Sequence, residues 1–279
     1  MHAHLPRAEL LSAFIFRNKK FVVTRHNSEK FFPHAPKFLS SFLSRIVTNR
    51  AQGCVAISNA VQKHLIDFNE IKDVTKIQVI YYGYDEKMNS VKTDSINKIG
   101  KSSLYIGTIG RLVEQKNQQL LIRAFAHFSK LVPESKLVIV GDGNLKSELL
   151  KLSFQLEIQN KIEWIGKTKN IKSIIESMDI FILCSNYEGF GLVLLEAMQL
   201  RVPIIAANNS AIPEVLGFDY PGLFRTSDLE SLIKVLNKFY YSRTKLNLNE
   251  IYRNNLSKFN PQKMERNLDN FYKSLNFYN

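Results

Sequence analysis

Short, nearly unbroken apolar runs alternate along the chain with longer stretches in which apolar residues recur at helical spacing. The runs predict strands over Phe21–Thr24, Cys54–Ser58, Ile77–Tyr82, Leu104–Thr108, Lys136–Val140, Lys161–Ile165, Ile180–Cys184 and Val202–Ala206. The periodic stretches predict helices over Pro36–Val47, Asn59–Phe68, Gln115–Leu131, Asn144–Leu156, Ile171–Ser177 and Phe190–Leu200, and 226–279 reads as mostly helical. Strands that read as continuous apolar runs are those of a parallel sheet covered on both faces, and regular strand–helix alternation predicts an α/β fold. The polar stretch Tyr84–Lys101 has no apolar period and reads as an interdomain linker.

Composition agrees with that picture and removes other classes. At roughly 150 residues per domain, 279 residues predict about two domains. With 45% hydrophobic and 23% charged residues the chain is not of the disordered type. No apolar run is long enough for a transmembrane helix. Leu10–Phe16 is the nearest thing to a signal-peptide core, but it lacks a small-residue cleavage site and runs into Arg17, Lys19 and Lys20. Two cysteines, Cys54 and Cys184, make no disulfide framework, and a cytoplasmic setting is expected.

The formal net charge of +13 is uneven. Residues 1–50 hold nine Lys/Arg and two acids, residues 234–279 hold nine and three, and 51–233 hold twenty of each. Basic ends fit an anionic partner, be it nucleic acid, a membrane face or an acidic substrate, and equally fit plain solubility. No helix-turn-helix, zinc or RNP-type motif is present, so nucleic acid is not expected. Phe38, Leu39, Phe42, Leu43 and Ile46 share one face of the helix over Pro36–Val47, near Lys37, Arg45 and Arg50. That face suits either packing on the sheet or an anionic membrane surface.

Ligands of such folds bind at the carboxyl ends of the strands, and the unusual residues sit there. Gly107-Thr-Ile-Gly110-Arg111-Leu112, followed by Gln115 and Lys116, is either a tight turn or a place where backbone approaches a ligand while two cations meet a diphosphate. Gly141-Asp142-Gly143 is a turn by any reading. In Glu188-Gly189-Phe190-Gly191-Leu192 and on to Glu196, the amides of Gly189–Leu192 are placed at a helix N-terminus, a ready anion site. Glu188 suits sugar hydroxyls or the helix dipole. Glu196, about 9 Å along the axis from Phe190, suits a ribose diol or a solvated face. His2 and His4 have no clustered third ligand, so a metal is not expected.

These residues resemble the signature of the retaining glycosyltransferases of family four, which have the GT-B fold. The family pattern is Glu-x7-Glu within a stretch like E-G/P-F-G-L-x-x-L-E-A-M, and Glu188–Met198 matches it nearly residue for residue. The Gly-x-x-Gly-Arg-Leu segment, the following Gln-Lys, Gly141–Gly143 and Ile212-Pro213-Glu214-Val215 are also similar to family elements. In the N-terminal part, His4 in His-Ala-His, Arg25-His26-Asn27, Ile57-Ser58 and the Gly83 turn resemble family landmarks. Tyr82 departs from the Asn common before that Gly, and Leu200-Arg201 departs from Cys/Ser-Gly. The largest departure is that Met1 stands directly before the His-Ala-His region, so about half of an N-terminal domain is expected to be absent.

The resemblance implies two Rossmann-like domains with parallel sheets, the N-terminal one incomplete. It places a partial acceptor-side domain at 1–90, a linker at 91–101, a nucleotide-sugar domain at 102–240 and a helical tail over 241–279 that returns to the first domain. The final helix then brings both basic ends to one lobe. It implies transfer of a sugar from a UDP- or GDP-sugar to a glycan or lipid-linked acceptor with retention, without a metal or other cofactor. The expected setting is the synthesis of cell-surface polysaccharide or lipopolysaccharide, in the cytoplasm or peripherally on the inner face of the membrane. Catalytic roles fall to His4, Arg111, Lys116 and Glu188. Donor binding falls to Gly110, Arg111, Lys116, Gly141, Asp142, Gly143, Glu188, Gly189, Phe190, Gly191, Leu192 and Glu196. A different class, a truncated and inactive nucleotide-sugar-binding fragment or partner subunit, is the alternative.

Overall fold

The computed structural model describes residues 1–15, 20–84, 104–242 and 248–276. The expected linker, 91–101, lies outside the described residues. By their contacts the residues form two units. One holds Met1–Asp85, Glu188–Phe190 and Ser257–Asn279, and the other holds Glu86–Tyr187 and Gly191–Leu256.

The first unit is a four-stranded parallel sheet in the order β1 (His2–His4), β2 (Val22–Arg25), β3 (Gly53–Ala56), β4 (Ile77–Val79). The two central strands are buried at every residue, as a sheet covered on both faces requires. Three helices alternate with the strands: α1 (Pro6–Ile15), α2 (Lys37–Arg50) and α3 (Asn59–Asp67). The α3 start is capped by Ser58, whose Oγ accepts from the Val61 amide.

The sequence reading missed β1 and α1. Three residues at an edge leave no apolar run, and α1 buries Glu9, Ser12 and Ala13 and so shows no apolar period. On α2 packing of the apolar face on the sheet, one of the two readings, does not hold for its exposed residues Phe38, Leu39 and Phe42, while Ser40, Ser41, Ser44, Val47 and Thr48 are buried. The cause is a polar cluster beneath the helices. Arg25 is 5% exposed and lies between two buried carboxylates, 2.9 Å from Glu9 and 3.3 Å from Glu70. The Ser44 hydroxyl donates to Glu70 Oε2 at 3.0 Å. Small polar side chains fit over that cluster and large apolar ones do not.

The second unit is a six-stranded parallel sheet. Along the chain come β5 (Tyr105–Ile109), α4 (Gln118–Leu131), β6 (Lys136–Val140), α5 (Lys146–Gln155), β7 (Ile162–Ile165), α6 (Ile171–Ser177) and β8 (Ile180–Leu183). Then follow α7 (Leu192–Gln199), β9 (Ile204–Ala207), α8 (Ile212–Leu216), β10 (Leu223–Phe224), α9 (Leu229–Ser242) and α10 (Leu248–Leu256). The strand order is β10-β9-β8-β5-β6-β7. Both β8 and β9 are buried throughout. The α4 face of Leu121, Phe125 and Phe128 is buried where α4 packs on α9 and its Leu232, Leu236 and Phe239. The short α8 and the two-residue β10 fell below the period a sequence can show.

The last helix, α11 (Pro261–Ser274), buries Phe271 against Val22, Val55 and Ile80 of the first sheet. The preceding α10 lies in the stretch expected to return with it, yet packs on α7 and α8 of the second unit. There the Tyr252 hydroxyl donates to the Val202 carbonyl at 3.0 Å and accepts from the Ile204 amide at 3.1 Å. The basic tail is therefore split. The first unit counts 16 Lys/Arg against 9 Asp/Glu, and the second 22 against 16, so the excess charge does not gather on one lobe.

Candidate functional site

In the second sheet the strand order reverses between β5 and β8, which carry the chain outward in opposite directions. A crevice opens at the carboxyl ends of the strands at such a switch. Most of the predicted donor residues in this unit follow β5, β6 and β8.

The turn after β5 carries Gly110 and Arg111, then a 3₁₀ turn over Glu114–Lys116. The helix expected from Gln115 starts only at Gln118, because Asn117 takes a left-handed backbone, φ +47°. The Lys116 stem crosses Gly110, with carbons 3.5 to 3.6 Å from where a Cβ would stand. Arg111 is exposed and donates through Nη2 to Gln115 Oε1 at 3.2 Å.

The loop after β6 locks onto this turn. The Gly110 amide donates to the Val140 carbonyl at 3.0 Å, and the Leu112 amide to the Asp142 carbonyl at 2.9 Å. Gly141 has φ +134°, a backbone that side chains rarely tolerate. The structure thus brings Gly110, Arg111, Lys116, Gly141, Asp142 and Gly143 together, and gives the glycines of the second loop a packing duty.

The loop after β8 is tied to the same turn by Gln115 and by Asn186, which the sequence reading did not single out. Asn186 donates from its amide to the Gln115 carbonyl (2.7 Å) and from Nδ2 to the Glu114 carbonyl (2.9 Å). Its Oδ1 accepts from Asn117 Nδ2 (3.1 Å) and Ser227 Oγ (3.0 Å). Gln115 Nε2 donates to the Tyr187 carbonyl at 3.1 Å. Polar residues directly after a buried apolar strand were the available signal.

Helix α7 begins at Leu192, two residues later than expected. Gly191 precedes it at φ +88°, so the Gly189 and Phe190 amides lie outside its first turn. Glu196 therefore sits about 6 Å along the axis from Leu192. It is half-buried, and desolvation pushes its carboxyl above the usual range. Leu194, Leu195, Ala197 and Met198 around it are buried.

Glu188, Gly189 and Phe190 belong by their contacts to the first unit. Ser28 Oγ donates to the Glu188 carbonyl at 2.6 Å, and Ser58 Oγ to the Gly189 carbonyl at 2.7 Å. The Phe190 ring meets Tyr82 and Phe259 edge to face, with centroids 5.4 and 5.2 Å away. Glu188 is buried.

His4 ends β1, exposed, at the head of a hydrogen-bonded chain. Its Nδ1 lies 3.0 Å from His26 Nε2, and His26 Nδ1 is hydrogen-bonded to the Tyr82 hydroxyl. His2 stacks on His4 at 4.4 Å between centroids, and is held by Thr24 and the Tyr272 hydroxyl, each at 2.6 Å. Burial first, and the neighbouring His4 second, hold both His2 and His26 down at about 4, so both are neutral at physiological pH. Burial raises the Tyr82 phenol. His26, Tyr82 and His2 were not among the predicted site residues. Among the described residues no three His, Cys, Asp or Glu gather as a metal site, and no helix is long and apolar enough to cross a membrane.

Known proteins share this architecture. The chain overlays on the Anabaena protein HepE, solved in complex with UDP, at a TM-score of 0.80 with 20% identity, covering 98% of this chain and 78% of that one. The fold is the GT-B glycosyltransferase fold. The chain is 28% identical over 234 residues to the N-acetyl-alpha-D-glucosaminyl L-malate synthase of Bacillus anthracis, covering 77% of this chain and 58% of the relative. It is 31% identical over 157 residues to the N-acetylgalactosamine-N,N'-diacetylbacillosaminyl-diphospho-undecaprenol 4-alpha-N-acetylgalactosaminyltransferase of Campylobacter jejuni, covering 56% and 42%. The chain thus spans about half the length of the curated relatives it matches. Residues 1–87 match the family model described as Glycosyltransferase Family 4. The model described as Glycosyl transferases group 1 matches residues 91–259, more than half of the chain, and the chain belongs to that family.

Proposed function

We propose that this chain moves a sugar from a nucleotide-diphosphate donor, a UDP-sugar, to a glycan or lipid-linked acceptor with retention at the anomeric carbon. The observation that carries the reading is the β5/β8 switch, where the Gly110–Lys116 turn and the 184–187 loop are hydrogen-bonded into one rim. In this reading Arg111, Lys116 and the first amides of α7 offset the charge that develops on the departing diphosphate. A second cation source is then unnecessary, and the transfer proceeds without a metal. Glu196 accepts from the ribose hydroxyls, Glu188 contacts the donor sugar, and His4 meets the reacting sugar.

Support comes from the UDP bound by HepE, and from the name of a relative that is a transferase to a diphospho-undecaprenol-linked sugar. A lipid-linked acceptor accords with assembly of cell-surface polysaccharide at the inner face of a membrane. Calorimetric titration with UDP and UMP, followed by a UDP-glucose hydrolysis assay, tests the reading. UDP should bind more tightly than UMP, with slow donor hydrolysis. Binding without turnover of any donor identifies a nucleotide-sugar-binding subunit instead, and no difference between UDP and UMP overturns the diphosphate site.

A further inference from the structure

The line of hydrogen-bonded rings that ends at His4 has a direction, and Tyr82 stands at its inner end. The Tyr82 hydroxyl is hydrogen-bonded to His26 Nδ1, and the two rings lie 17° from parallel with centroids 6.0 Å apart. Phe190 meets Tyr82 edge to face at 5.4 Å, so packing as well as hydrogen bonding holds the phenol. Among the described residues, His26 is the hydrogen-bond partner of that hydroxyl and no other is found. Tyr82 is half-buried and burial raises its phenol, so it keeps a proton to give. A protonated His26 Nδ1 would donate to Tyr82 and leave the phenol proton facing no described acceptor. With the phenol donating to Nδ1, both groups are satisfied.

Proton counts fix the remainder. His26 is neutral at physiological pH and carries one ring proton. With Nδ1 accepting, that proton is on Nε2, which lies 3.0 Å from His4 Nδ1. His4 Nδ1 then accepts, and whenever His4 is neutral its own proton is on Nε2, at the exposed end of the line. His2, held by Thr24 and Tyr272, stacks on His4 and steadies its ring. We infer that Tyr82 is a positioning residue: through His26 it fixes the His4 tautomer, so that the outer nitrogen of His4 is a hydrogen-bond donor to an oxygen of the sugar and not a base. No proton moves along the line, which keeps one in place. What His4 meets rests on the proposed transfer, whereas the tautomer does not. Tyr82 is itself a departure from the family pattern, so the resemblance does not supply this role.

Long-range proton–nitrogen spectra of the full chain with nitrogen-15 histidine, taken above the ordinary imidazole range at about pH 8, read the tautomer of each ring. His4→Gln and His26→Gln assign the signals. Both His4 and His26 are expected with the proton on Nε2. Tyr82→Phe keeps the ring against Phe190 and removes the hydroxyl alone, and in it both histidines should become mixtures of the two tautomers. In UDP-glucose hydrolysis the same variant should lose kcat by roughly tenfold with KM nearly unchanged. Melting checks that the variant folds, and should it not, the parent spectrum decides. A parent His4 with its proton on Nδ1 overturns the inference, and so do tautomers that folded Tyr82→Phe leaves unchanged. Tautomers that respond while kcat does not overturn the donor role of His4. If they respond and neither protein hydrolyses any donor, the positioning stands and the transfer reading fails.

Discussion

A Cβ placed on Gly141 would stand 2.0 Å from the carbonyl oxygen of Gly110, far inside van der Waals contact with another loop's backbone. The Gly141 φ of +134° disfavours a side chain independently. The glycine therefore holds two loops together at the ends of β5 and β6, and only through that contact shapes a ligand site. Gly141→Ala should cost about 2–3 kcal/mol and lower Tm by roughly 4–12 °C. UDP affinity should fall with it, since the displaced backbone carries Arg111 and Lys116. A variant that melts with the parent would show the contact to be dispensable.

Desolvation raises the Glu196 carboxyl, so its carboxylate is the costly form and a ribose diol would relieve that cost. Glu196→Ala should weaken UDP binding by roughly 10–100-fold, the range for a hydrogen bond to a charged group. The pH sign follows from the raised pKa. The carboxylate is lost on acidification earlier than an ordinary Glu would lose it, so affinity falls as pH drops toward that range. Glu196→Gln should flatten the acid limb. Calorimetry with UDP across pH reads both effects, and identical profiles for parent and Gln variant would remove Glu196 from the ribose.

Much of the fold was legible, for a physical reason. Ile180–Leu183 and Ile204–Ala207 are buried on both faces, so burial leaves its mark on every residue. The Glu-x7-Glu spacing was legible because covalent spacing survives any error in helix boundary. The boundary itself was not, since the start of α7 is set by the backbone of Gly191 and that of α4 by Asn117. The orientation of α1 and α2 was hidden more deeply. It depends on Arg25 meeting Glu9 and Glu70, carboxylates that stand 16 and 45 positions away from it in the chain. The pairing of His26 with Tyr82 is hidden in the same way, joining β2 to the segment after β4.

The Arg25 cluster makes stability depend on pH. Two carboxylates face one guanidinium, and burial, opposed by Arg25 and helped by Glu70, raises Glu9 from 4.5 to about 7. The folded state thus keeps a proton that the unfolded chain has released between those values. The Glu9 contribution to stability is greatest at the acid end of this window and declines as pH rises through it. The full effect is about 3 kcal/mol. His2 and His26, held at about 4, act in the opposite sense below pH 6.5, so the Glu9 effect is read as a difference: from pH 5 to pH 8 the parent should lose Tm relative to Glu9→Gln. A parent–variant difference in Tm that stays constant over this window would contradict a proton held on Glu9.

The inverted α2 separates burial from hydrophobicity in one pair of substitutions. Ser44 is fully buried, and its hydroxyl donates to both the main-chain carbonyl and the carboxylate of Glu70, at 3.2 and 3.0 Å. Ser44→Leu removes those bonds and forces a larger apolar group onto the Arg25–Glu70 pair. The cost adds overpacking to a buried carboxylate that has lost a donor, about 3 kcal/mol or more. Phe42 lies two positions away with half its surface in water, and Phe42→Ser should change stability by no more than about 0.5 kcal/mol. A helix packed by its apolar face would give the opposite order, with Phe42→Ser the damaging change. Urea denaturation of the two variants side by side therefore decides which face of α2 is covered by the first unit and which is left exposed.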